Sequence, residues 1–145
     1  MIIDIHGHYY NKGLYPDWVP YGVEPLKSWL QNPDITGLIV SSLDVLDNGM
    51  AENNCLTQVC MNNPKLWQWY TVDPRIPYWW HRLPKDKKIL GIKVHPTWQN
   101  YELVNYFNKI LEVAKYYKWS VITHSGVKEP FVDIEKSISI ADKYP

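Results

Sequence analysis

Short apolar, β-branched runs alternate along this chain with longer polar or amphipathic stretches. Five such runs predict strands, at residues 2–6 (IIDIH), 35–43 (ITGLIVSSL), 66–73 (LWQWYTVD), 89–95 (ILGIKVH) and 119–124 (WSVITH). The second is almost continuously apolar, which suits a strand covered on both faces, as in a parallel sheet flanked by helices. Between them the period lengthens. Leu103, Phe107, Ile110, Leu111, Ala114 and Tyr117 recur at helical spacing and predict a helix over 101–118, with Asn100 as its N-cap. Residues 131–144 repeat the pattern with Ile134, Ile138 and Ala141. A short helix is expected over 24–32, ended by Asn32-Pro33, and a polar one over 48–63, stopped by Pro64. Pro74, Pro77 and Pro84 leave room only for a short or broken helix over 74–88.

Strict alternation of strand and helix implies parallel strands joined by right-handed crossovers. It fits an open doubly wound sheet or a (β/α) barrel and does not choose between them. No internal repeat, low-complexity tract or linker interrupts the chain, so residues 1–145 are read as one domain. That length supports a real core, but a complete eight-stranded barrel takes about 250 residues.

Composition narrows the function classes. Fifteen basic residues balance fifteen acidic ones. A neutral chain has no global field to draw nucleic acid or an anionic membrane surface, so neither is expected as a partner. No apolar run reaches transmembrane length, and Met1-Ile2-Ile3-Asp4 has neither the basic start nor the cleavage site of a signal peptide. Cys55 and Cys60, five apart on one predicted helix, fall on different faces and are read as reduced thiols. A cytoplasmic protein is expected on these grounds. Eight Trp and eleven Tyr against two Phe favour half-buried walls and interfaces.

The candidate chemistry lies at strand ends. In Asp4-Ile5-His6-Gly7-His8, strand alternation puts Asp4, His6 and His8 on one face and Ile3 and Ile5 on the other, against the helices. Two histidines at i and i+2 can hold one metal ion, and Gly7 between them lets the backbone bend. In Gly91-Ile92-Lys93-Val94-His95-Pro96, Lys93 and His95 share the face opposite Ile92 and Val94. Pointing a lysine and a histidine into a barrel is costly unless they line a polar site. In Val121-Ile122-Thr123-His124-Ser125-Gly126 a strand again ends on a histidine. Three strands thus end in histidine at the rim where barrel enzymes keep their active sites. His81, in a Trp-rich loop, is read as a surface residue.

These motifs resemble the amidohydrolase superfamily, in particular its amidohydrolase-related branch of metal-dependent hydrolases and aminocarboxymuconate-semialdehyde decarboxylase-like enzymes. IIDIHGH, IVSSLD, GIKVHP, VITHSG and the closing IADKYP carry the resemblance, in order along essentially the whole chain. It implies an α/β fold, about five parallel strands of an incomplete TIM-type barrel, with His6, His8 and His124 as ligands of one divalent metal, Zn²⁺ or alternatively Mn²⁺. It further implies that Lys93 and His95 line the site, with Asp4 steadying a ligand or the strand end. The implied reaction is hydrolysis of an amide, ester or lactone by metal-activated water. A decarboxylase of the same fold and a non-catalytic binding module are the alternatives. The pattern also calls for a sixth-strand histidine and a late catalytic aspartate, which would lie beyond Pro145. No carboxylate after the fifth strand is expected to replace that aspartate. Tyr9, Tyr10, Tyr15, Trp18, Tyr21, Trp79, Trp80 and Trp98 follow strand ends and could wall a pocket for an aromatic or apolar carboxylate substrate. A homo-oligomer contact is the other use for them.

Overall fold

The computed structural model describes residues 1–10, 26, 29–125 and 129–144. The strands are β1 (Ile2–Tyr9), β2 (Ile35–Ser42), β3 (Leu66–Thr71), β4 (Ile89–Val94) and β5 (Ser120–Thr123). The helices are α1 (Asp44–Asn48), α2 (Asn53–Met61), α3 (Pro96–Gln99), α4 (Leu103–Tyr117) and α5 (Ile134–Ala141), with 3₁₀ turns at Met50–Glu52 and Trp79–Arg82. Hydrogen bonding orders the parallel strands β1-β2-β3-β4-β5. This is the α/β class, with the strand order and connectivity of an incomplete TIM-type barrel. No described helix is long and apolar enough to cross a membrane. The aromatics Tyr15, Trp18 and Tyr21, and residues 24, 25, 27 and 28 of the helix expected over 24–32, lie outside the described residues.

The chain packs as two compact units, one of Met1–Thr71 with Asp86–Leu90 and one of Val72–Lys85 with Gly91–Pro145. In the first, β1 pairs with β2 and β2 with β3, and Gln68 N–H donates to Lys88 O, 2.8 Å, ahead of β4. Leu38, Val40 and Leu66 turn one face of the sheet onto Leu56 and Cys60 of α2, and Tyr9 joins this core. Burial pushes the Cys60 thiol up to about 12. Both cysteines are free thiols.

A buried polar network ties α2 to β3. Asn53 Oδ1 accepts from Thr71 N–H (3.0 Å), and its Nδ2 donates to Thr71 O (2.7 Å). Thr57 Oγ1 donates to Gln68 Oε1 at 2.7 Å. The helix expected over 48–63 starts late: Gly49, at φ +90°, ends α1, the 3₁₀ turn Met50–Glu52 follows, and the helix itself is α2, Asn53–Met61.

In the second unit β4 pairs with β5 from Gly91↔Ser120 to Val94↔Thr123, and Val72 N–H donates to Lys93 O at 2.9 Å. Helix α4 buries Leu103, Phe107, Ile110, Val113 and Ala114, while Leu111 and Tyr117 of the predicted stripe are only half-buried. Asn100 is not its N-cap. It closes α3 in a left-handed conformation, φ 55°, and Glu102 precedes α4 without a side-chain cap. Helix α5 does form, and Asp133 caps it by accepting from Lys136 N–H. Its expected apolar face is outward, however, with Ile134 and Ile138 50% and 57% exposed.

Candidate functional site

Strand β1 does not alternate as its sequence suggests. Asp4 pairs with Leu38 and Gly7 with Val40, so three steps on β1 match two on β2. This β-bulge shifts the parity of everything after it. Asp4 falls on the side of Leu38 and Val40, while His8 pairs with Ser41 on the opposite side. Asp4 and His8 therefore do not share a face. Ile3, paired with Gly37, lies on His8's side rather than against the helices, and Ile3 and Ile5 are each 59% exposed. The Asp4 carboxylate folds back on its own strand, where Oδ1 accepts from His6 N–H at 2.9 Å. That bond stabilises the bulge backbone under His6. Gly7 is required here, since a Cβ would stand 2.7 Å from Val40 Cγ1.

The bulge leaves His6 and His8 with ring centroids 4.9 Å apart, edge to face. His8 Nδ1 lies 3.3 Å from Ser41 Oγ, and Ser41 Oγ donates to Gly7 O at 3.5 Å. Trp69, paired with Ser41 on the same side, donates from Nε1 to Ile5 O at 2.7 Å and clamps the bulge.

The second unit holds a separate imidazole pair. His95 follows β4 and His124 follows β5, where His124 N–H donates to Val94 O at 3.0 Å. Their rings stack with centroids 4.0 Å apart and planes 11° from parallel. His95 caps α3, its Nδ1 accepting from Trp98 N–H at 3.3 Å. Its pKa is pushed down to about 4, first by burial and then by His124 and Lys93. Lys93 is only 2% exposed, and burial lowers its ammonium to about 8. Trp98 meets the His95 ring edge-on at 6.0 Å and is 42% exposed.

Two residues that sequence reasoning passes over also belong here. Buried Gln99 accepts from His95 N–H at 3.3 Å and donates to Val72 O at 3.2 Å, fixing the backbone at the end of β4. Glu129 lies beside His124, with Oε1 3.5 Å from Nε2. Its other oxygen accepts from the Thr97 hydroxyl, and these contacts hold the carboxyl below its ordinary range. The sequence signal for Glu129 is thin, a carboxylate five residues past a strand-end histidine.

The aromatics expected to wall a pocket divide. Tyr9, Tyr10 and Trp79 are buried rather than lining a rim. Trp80 lies under Lys109, whose Nζ is 4.4 Å from the ring centroid. His81 is exposed, as expected. Among the described residues no group of three or more His, Cys, Asp or Glu side chains is gathered as a metal site. No protein-family profile matches this chain, and neither a curated protein nor a solved structure matches it.

Proposed function

We propose that this chain belongs to a metal-dependent hydrolase of amidohydrolase type, acting on an amide, ester or lactone, with His6 and His8 as ligands of its metal. The observation that supports it best is the His6–His8 pair. Two imidazoles bound to one zinc at the usual Zn–N distance of about 2.0–2.1 Å have ring centroids about 5 Å apart. The 4.9 Å separation fits that requirement. Zinc, or manganese in its place, would supply an acidified water and polarise the substrate carbonyl.

The chain's own residues do the rest. The Asp4 carboxylate and the Trp69 indole hold the bulge that sets the two rings. Trp98, edge-on to His95, offers a flat apolar wall suited to an aromatic carboxylate.

The test is metal content. The purified chain is expected to bind one equivalent of Zn²⁺, measured by elemental analysis after dialysis, and His6→Ala/His8→Ala is expected to lose it. An unchanged metal content in the double variant would remove the reading.

A further inference from the structure

We propose that the groove between the 3₁₀ turn Trp79–Arg82 and helix α4 is a second ligand site, one for a small aromatic monocarboxylate. It is a cavity of about 590 Å³, within the range of small-molecule pockets. Its walls are Trp80 on the turn and Lys109, Glu112, Lys115, Tyr116 and Tyr117 on the helix. All of them lie within one compact unit. None belongs to the imidazole pairs, so the inference stands apart from the hydrolase reading.

Both walls are set by contacts outside the groove. On the turn, Tyr78 takes a left-handed φ of 56°, and His81 N–H donates to Tyr78 O at 3.0 Å. Trp79 is buried in the core, which leaves Trp80 half-buried at the groove. Helix α4 turns Phe107, Ile110 and Ala114 into the core. Lys109, Glu112 and Tyr116, three and four residues apart, therefore form a row along its flank. Tyr116 meets Tyr117 edge-on at 5.2 Å, and Tyr117 stacks on Trp119 with centroids 4.6 Å apart.

The ligand's chemistry follows from which charges are already paired. Lys109 Nζ lies 4.4 Å from the Trp80 ring centroid and donates to Glu112 Oε2 at 3.1 Å. Those two charges offset one another within the wall. Lys115 is exposed and makes no ion pair among the described residues. The groove thus carries one positive charge without a counterpart, beside flat aromatic faces, with Tyr116 76% exposed. An aromatic ring packs on such faces, and a single carboxylate complements the lysine. A cationic ligand would meet two lysines.

The experiment titrates the whole chain with naphthoate, by calorimetry and by ¹H–¹⁵N spectra of the indoles, with the Trp80 resonance assigned from its loss in Trp80→Leu. A saturable shift of the Trp80 resonance is expected. Affinity is expected to fall about tenfold in Tyr116→Ser, and about fivefold in Lys115→Gln or when uncharged naphthamide replaces naphthoate. Tyr116 and Lys115 are exposed, so both variants should keep the native melting temperature, and Trp98→Leu should bind as the native chain does. The absence of a saturable Trp80 shift would overturn the proposal, as would native affinity in both Lys115→Gln and Tyr116→Ser. Equal binding of naphthamide, or tighter binding of naphthylmethylamine, would overturn the charge of the ligand and the proposal with it. Binding lost in Trp98→Leu would place the ligand elsewhere and overturn it. So would a native dimer in sedimentation that Tyr116→Ser converts to monomer, since a second copy would then cover the groove.

Discussion

His95 and His124 stack face to face, 4.0 Å between ring centroids and 11° from parallel. Two positive rings in that arrangement would repel, and burial already disfavours charge on His95, whose pKa is pushed down to about 4. The ordinary value in an unfolded chain is about 6.5. The unfolded state therefore gains a proton before the folded state as pH falls. Stability linked to His95 is fully present above pH 6.5 and drains away between 6.5 and about 4. Urea midpoints at pH 7 and pH 5 should differ in the native chain and differ less in His95→Gln. A His95 ring titrating near its ordinary value by NMR would contradict this.

Lys93 should be a stability liability. Its ammonium is lowered from 10.5 to about 8 by burial, so the unfolded state binds that proton more tightly. The penalty is full below pH 8, shrinks as pH rises, and vanishes above about 10.5. Lys93→Met is expected to stabilise the chain at pH 7 by at most about 3 kcal/mol, with the gain fading by pH 10.5. Chemical denaturation at both pH values checks the magnitude and the sign.

Gly7→Ala should destabilise the first unit. The added Cβ would lie 2.7 Å from Val40 Cγ1 and 3.0 Å from Leu38 Cδ1, both in a closed core. Overpacking of this kind costs about 1–3 kcal/mol. A urea midpoint unchanged from the native chain would show that the bulge absorbs the methyl group.

Asn53→Ala should break the tie between α2 and β3. The buried Thr71 N–H loses its acceptor, and Thr71 O and Met50 O each lose a donor. A buried polar group left unsatisfied costs about 1–3 kcal/mol. Faster hydrogen exchange at the Thr71 amide, beyond the global loss of stability, would locate the damage. Exchange unchanged at Thr71 would show that another group takes over.

The candidate site was only partly legible. A histidine after β5 and another after β4 could be read directly, because an apolar run that stops at an imidazole marks the strand end. The face of each β1 residue could not. Strict alternation predicts Asp4 and His8 together, and one bulge residue between Asp4 and Gly7 puts them on opposite sides. Glu129 was passed over because its significance depends on Thr97, thirty-two residues earlier, reaching its carboxylate. The outward Ile134 and Ile138 have the spacing of a buried stripe, and spacing carries no information about whether a partner surface lies opposite.

The amino-acid sequence by itself determined the kinds of element, their order and the parallel sense of the strands. Those follow from backbone periods of 2 and 3.6 residues and from connections too long for hairpins. The tertiary structure alone decided the bulge under His6, the stacking of His95 on His124 and the carboxylate beside it. Each of these depends on contacts between segments distant in the chain, where shape and hydrogen-bond geometry choose the partner and local periodicity is silent.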